Sequence, residues 1–157
     1  LWAEHKYSLL NMVEKRIRIP DAALASAEKM KWLIRAWDSL IANEDRTQQN
    51  VFYTEDWRTL LIDHSRAFRS NSEFTKRLMF GANGIKRGDD GRALLFLQLP
   101  RGFYDRVKAL TRETIRAAVG DTLTDKEIEA ILVRRDLLVK EIDAQILSRG
   151  EAKVLYD

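Results

Sequence analysis

The 157 residues are enough for one domain with a sizeable core, and 45% apolar with 32% charged residues excludes an intrinsically disordered chain. No apolar run reaches the roughly 18 residues of a membrane span and no charged-then-apolar leader opens the chain, so no membrane span is expected and a cytoplasmic setting is the default. A formal charge of +3 from interleaved acids and bases does not indicate a nucleic-acid partner, and without cysteine there is no disulfide framework, thiolate nucleophile or cysteine-ligated metal.

Leu9, Leu10 and Val13 lie on one side of a helix expected between Ala3 and Arg16. From Pro20 to Ala42 apolar residues recur at helical spacing (Ala27, Met30, Leu33, Ile34, Trp37, Ile41), which predicts a long core helix with Pro20 and Asp21 suited to its first turn. The period then changes. Val51 to Tyr53 and Thr59 to Ile62 are short β-branched, aromatic and aliphatic runs separated by Glu55, Asp56 and Trp57, the pattern of a small hairpin.

Between Arg66 and Arg92 seven Lys/Arg face three acids, and Gly81, Gly84, Gly88 and Gly91 predict an exposed loop between Phe80 and Ala93. Leu94 to Leu99 reads as an extended run stopped by Pro100. A helix from Arg101 to Val119 with a break near Thr111 should end at Gly120. Thr124 and Glu127 form a capping-box pattern ahead of a last helix running to Arg149, with Gly150 as its stop.

The chemistry concentrates in W-D-S-L-I-A-N-E-D-R-T-Q-Q-N-V-F-Y-T-E-D-W-R-T-L-L-I-D-H-S-R-A-F, residues 37–68, where Asp45 precedes Asn50 by five positions and Asn50 precedes Asp63 by thirteen. Phosphoryl transfer needs an acceptor hydroxyl oriented by a carboxylate, and metal ions that neutralise charge on the phosphate oxygens. In kinases a catalytic-loop Asp does the first job, an Asn five residues on holds one Mg²⁺, and an Asp beyond a short hairpin holds the metals. Asp45, Asn50 and Asp63 supply these groups in that order, with a long helix before Asp45 and a hairpin that returns Asp63 towards Asn50.

The segment L-I-A-N-E-D-R-T-Q-Q-N resembles the L-I-x-N-x-D-R-x-x-x-N catalytic segment of the atypical kinases, a group that includes phosphatidylinositol 3- and 4-kinases, HipA-like serine kinases and secretory-pathway kinases. L-I-D-H-S-R-A-F resembles their I-D-[NHF]-x-x-A-F metal segment. The likeness covers about a fifth of the chain. It implies the C-terminal lobe of a protein-kinase-like fold, with Asp45 as the catalytic Asp, Asn50 and Asp63 as metal ligands, and Mg²⁺ and ATP as cofactors. His64 and Ser65 stand where the ordinary D-F-G has Phe and Gly, and no glycine-rich loop or V-A-I-K-like lysine precedes Asp45. The chain also opens on Leu1 rather than Met. An internal piece of a longer protein is therefore expected, inactive by itself, with ATP gripped by an N-terminal lobe outside this chain.

Around this constellation Arg46 either neutralises charge near Asp45 or pairs with a neighbouring acid, and Asp38 is either bonded to the catalytic loop or solvated. His64 reads as a hydrogen-bonded structural residue, because His5 is the only other histidine and a zinc site is unsupported. Trp32, Trp37, Phe52 and Tyr53 read as core and hairpin packing, with Trp57 set apart at a turn. Arg134 and Arg135 read as a solvated or ion-paired helix face. The expectation is thus a mainly α domain with a small β-hairpin that serves phosphoryl transfer from Mg-ATP to a hydroxyl acceptor, protein or lipid. Nucleotidyl transfer would use the same metal residues. The rival is a non-catalytic helical interaction module, or pseudokinase, binding a partner through the basic stretch from Arg66 to Arg92.

Overall fold

The computed structural model describes residues 5–79 and 95–157. The glycine-rich loop expected between Phe80 and Ala93, with Lys86, Arg87 and Arg92 of the basic stretch, lies outside the described residues.

The expected first helix is shorter than its apolar spacing suggested. Tyr7–Ser8 forms strand β1 instead, and helix α1 spans Leu9–Glu14 with the Ser8 hydroxyl accepting from the Asn11 N–H at 3.0 Å. Ser8 thus ends a strand and caps a helix at once. Helix α2 spans Asp21–Ile41, preceded by Pro20 at φ −59°, a value already suited to helix entry. Strands β2 (Val51–Tyr53) and β3 (Thr59–Leu61) form the expected antiparallel hairpin, paired Val51 with Leu61 and Tyr53 with Thr59. β1 adds a third strand on the β2 edge, Tyr7 opposite Tyr53. The inward face of β2 (Val51, Tyr53) packs with Met12 in a small core covered by Tyr7, Ile17, Trp57 and Leu61.

The hairpin turn holds Trp57 in the left-handed region at φ 63°, a conformation that costs a bulky residue about 1–2 kcal/mol. Aromatic contacts offset it, with the Trp57 ring stacked on that of Tyr7 at 5.9 Å and tilted against that of Tyr53 at 6.1 Å.

The larger core lies among the remaining helices. One-turn α3 (Glu73–Lys76) is followed by β4 (Leu99–Pro100), α4 (Arg101–Lys108), α5 (Arg112–Val119), α6 (Asp125–Arg149), α7 (Glu151–Val154) and β5 (Leu155–Tyr156). Pro100 does not stop an extended run, since none of residues 95–98 is in a strand. It is the second residue of β4, whose parallel partner is β5, and it stands immediately before α4. The break near Thr111 separates α4 from α5, and Gly120 ends α5 at φ 56°. Thr124 and Glu127 make the capping box of α6, with the Thr124 N–H donating to the Glu127 carboxylate at 2.8 Å. Leu40 of α2, Phe103 and Val107 of α4, and Ile128, Leu138 and Ile142 of α6 close over Phe96 and Leu99.

Two side chains differ from expectation. Trp37, read as part of the core stripe of α2, is 40% exposed. Arg134 is buried rather than solvated and has no ion pair among the described residues: it is 1% exposed and donates from Nε to the Leu40 carbonyl and from Nη1 to the Arg69 carbonyl, both at 2.7 Å. Burial without a carboxylate pushes its pKa down to about 10. Arg135, one residue on, does pair with an acid, Asp136 at 2.8 Å.

Candidate active site

The loop that carries Asp45 is set by how α2 ends. A helix C-terminus leaves its last four carbonyls without intrahelical partners, and in α2 each finds one. The Asp38 carbonyl accepts from Ala42 and Asn43, that of Ser39 from Ala42, that of Leu40 from Arg134, and that of Ile41 from the Phe68 N–H at 2.6 Å. Ala42 adopts φ 49° to make this possible, turning the chain sharply out of the helix. The Ile41–Phe68 bond also ties the end of the L-I-D-H-S-R-A-F segment to the start of the L-I-A-N-E-D-R-T-Q-Q-N segment.

Arg46 and Asp38 organise the loop beyond this turn. Their side chains are 2% and 0% exposed, and the guanidinium meets both carboxylate oxygens, Nε to Oδ2 at 2.8 Å and Nη2 to Oδ1 at 3.1 Å. Of the two alternatives for each residue, Asp38 bonds to the loop and Arg46 pairs with this acid. Arg46 does more than pair. Its Nη1 donates to the carbonyls of Asn50 and Ile62, both at 2.9 Å, and its Nη2 lies 3.0 Å from His64 Nε2. One guanidinium therefore joins the helix, the loop before β2 and the segment after β3. Arg46 has no acceptor capacity, so the His64 Nε2 accepts and the imidazole is neutral. Burial first, then the Arg46 cation, hold the His64 pKa below its ordinary value, against the weaker pull of Asp38 and Asp63.

Asn50, 9% exposed, sits at the end of a single 3-10 turn (Gln48–Asn50) and donates from Nδ2 to the Asp45 carbonyl at 2.9 Å. That bond turns the amide nitrogen towards the loop and leaves Oδ1 as the group's acceptor. The Ile62 N–H donates to the Asn50 carbonyl at 3.2 Å, so Asp63 is one residue beyond the position paired with Asn50. Asp63 itself is exposed and left-handed at φ 52°. Its Oδ1 accepts from the Ser65 hydroxyl at 2.6 Å and the Ser65 N–H at 3.2 Å. These two bonds lower its pKa and keep it ionised, and among the described residues Oδ2 accepts no hydrogen bond. Asp45 is half-buried, its backbone N–H held by the Asn43 side chain at 3.1 Å. Among the described residues no cation engages its carboxylate.

Two carboxylates near the loop are committed elsewhere. Asp38 belongs to Arg46, and Glu44 accepts from Arg66 at 2.7 Å and from Arg69, which lowers its pKa through Arg66 first. The basic stretch thus begins as an ion-pair cluster next to Asp45, with one more positive charge than negative. Among the described residues no group of three or more His, Asp or Glu side chains gathers as a metal cage.

The pattern of residue types also left a feature unassigned. Phe52, assigned to packing, points away from the small core and shares the outer sheet face with Leu60 and with Ile62, which is 46% exposed. The His5 ring stands edge-on to Phe52 at 4.4 Å. This apolar face borders the Asn50 and Asp63 segments. Strand alternation around Asn50 was the available signal, because Phe52 must face opposite to Val51 and Tyr53.

Comparison with protein-family models, with curated proteins and with solved structures finds no match to this chain.

Proposed function

We propose that this chain is the C-terminal lobe of a kinase-like phosphotransferase that moves the γ-phosphoryl of Mg-ATP to a hydroxyl acceptor. The observation that carries the proposal is the Arg46 clamp. It ties the Asn50 carbonyl and the Ile62 carbonyl to one buried ion pair, which holds the Asp45-to-Asn50 loop beside the Asp63 segment.

The donor set suits magnesium. Mg²⁺ keeps several waters and is bound through one or two carboxylates plus substrate phosphates rather than by an all-protein cage. The Asn50 amide oxygen and the Asp63 carboxylate provide two hard oxygens on adjoining segments. When bound, Mg-ATP supplies the phosphoryl group and neutralises charge on its oxygens. The protein's part is positioning. Asp45 orients the acceptor hydroxyl and takes its proton, Asn50 and Asp63 hold the metal, and Ser65 keeps the Asp63 carboxylate aimed and ionised. The outer face of Phe52, Leu60 and Ile62 offers a flat apolar surface for the base. Because no glycine-rich loop or V-A-I-K-like lysine precedes Asp45, the chain alone should turn over no ATP, since positioning supplies most of the rate.

The test is made with the nucleotide-gripping lobe restored. Asp63→Ala should weaken Mg-dependent ATP binding by calorimetry, whereas Asp45→Ala should leave binding intact and cut transfer by roughly 10²-fold or more. Transfer at the unmodified rate in Asp45→Ala would overturn the proposal.

A further inference from the structure

Between α1, α2 and β2 lies a cavity of about 410 Å³ that the phosphotransfer chemistry does not use. That size falls in the range of roughly 300–1,000 Å³ typical of small-molecule sites. Most of its wall is apolar: Leu9 of α1, Ile19 before α2, Leu24, Ala27 and Ile34 of α2, and Val51 of β2. Such a wall favours a ligand with an apolar body. The polar groups around it decide what else that ligand must carry.

The charges at the wall are already engaged. Lys31 pairs with Glu28 at 3.3 Å, Arg46 pairs with Asp38 at 2.8 Å, and Arg35 lies over the Trp32 ring, 5.0 Å from its centre, within the field of Glu28. An ion entering here would find no free counter-charge, and burying it unpaired would be costly. What the wall leaves free is a neutral hydrogen-bonding group. Tyr53 lines the cavity, is 8% exposed, and has its ring anchored in the small core with Met12 and Val51. Its hydroxyl makes no hydrogen bond among the described residues, yet it is not sealed away as the Ser39 hydroxyl is. Burial first, then Glu28, raise its pKa, so at neutral pH the phenol keeps its proton and can donate it. A buried donor of this kind calls for an acceptor.

We infer that this cavity binds a small uncharged organic molecule, its apolar body against Leu9, Leu24, Ala27, Ile34 and Val51 and a carbonyl oxygen accepting from the Tyr53 hydroxyl. Such a molecule leaves every ion pair at the wall in place. The site would exist whether or not the chain serves phosphoryl transfer. It bears on that chemistry all the same, since Arg46, Thr47 and Gln48 form part of the same wall. An occupant therefore touches the back of the Asp45 loop.

The probe is 2-nonanone, titrated into residues 1–157 at neutral pH and followed by amide chemical shifts, with nonanoate below its micelle concentration as the charged control. The ketone should saturate one site and move signals of residues 24–35, 46–48 and 51–53. Nonanoate should bind more weakly by roughly tenfold or more, because its charge meets no free partner. Ala27→Phe fills the chamber and should abolish binding. Tyr53→Phe removes one oxygen that bonds to nothing among the described residues, so it should fold normally and weaken the ketone by roughly three- to tenfold, the scale of one neutral hydrogen bond. Failure of the ketone to saturate a site, shifts scattered away from these residues, nonanoate binding as tightly as the ketone, or unchanged ketone affinity in a folded Tyr53→Phe protein would overturn the inference.

Discussion

Replacing Arg46 by Ala should be among the most damaging single changes in this chain. It strands the Asp38 carboxylate, which is 0% exposed, and among the described residues only the Asn43 side-chain amide at 3.4 Å is left to compensate. Removing one partner of a buried ion pair costs about 3–5 kcal/mol. The Ile62 carbonyl and His64 Nε2 lose their donor as well, adding about 1 kcal/mol at the low end for partly exposed acceptors. A total of about 4–6 kcal/mol is a large share of the 5–15 kcal/mol that typically holds a domain together. The double change Asp38→Leu with Arg46→Met removes both charges, so only the acceptor losses remain and it should cost about 1–3 kcal/mol. Arg46→Lys keeps the charge but not the fork, and should fall between. Urea unfolding followed by tryptophan fluorescence measures all three. A cost below about 1 kcal/mol for Arg46→Ala, or a double variant no more stable than the single, would refute the clamp.

His64 is held neutral, with a lowered pKa, while the unfolded chain takes up its proton near pH 6.5. The unfolded state then binds more protons, so the stability present above about pH 6.5 is lost as the pH falls below it. His64→Gln should flatten the pH dependence of the thermal midpoint below about pH 6.5. Trp57→Gly should be more stable than Trp57→Ala by about 1 kcal/mol, since both lose the stacking but only Gly relieves φ 63°; equal midpoints would contradict the strain. Arg134→Met should lower stability in urea by about 2–4 kcal/mol, because the Leu40 and Arg69 carbonyls lose their donor; a Met variant as stable as the parent would show that the carbonyl staple contributes nothing.

Local signals made much of this architecture legible. The 3.6 period of α2, the Thr124–Glu127 box, Gly120 and Gly150 at helix ends, and the alternation of Val51 and Tyr53 each depend on neighbours a few residues away. What escaped rests on distant pairing. β1 exists only because β2 offers an edge some 45 residues later, and β4 and β5 meet across 56 residues (Leu99 with Leu155). Two of the buried charges among the described residues, Arg134 and Asp38, were legible in part. Arg134 falls three residues after Ile131 and four before Leu138, and Asp38 four after Ile34 and three before Ile41, so both occupy the apolar stripe of their helices. A charge on such a stripe must find partners, and the partners, a helix end for Arg134 and Arg46 for Asp38, are visible only in three dimensions. For the site the spacing of Asp45, Asn50 and Asp63 was plain, and the Asp63–Ser65 pair and the alternation that turns Phe52 outward were local signals too, whereas the placing of Leu60 beside Phe52 required the hairpin register.

The central claim, that Asn50 and Asp63 form a metal site for a nucleotide phosphate, is tested most directly by Mn²⁺ titrated with ATP into residues 1–157. Paramagnetic broadening should concentrate on the amide signals of Asp45, Asn50 and residues 62–65, and should disappear in Asp63→Ala while the rest of the spectrum stays unchanged. Broadening centred elsewhere, or persisting at Asn50 in Asp63→Ala, would contradict the account.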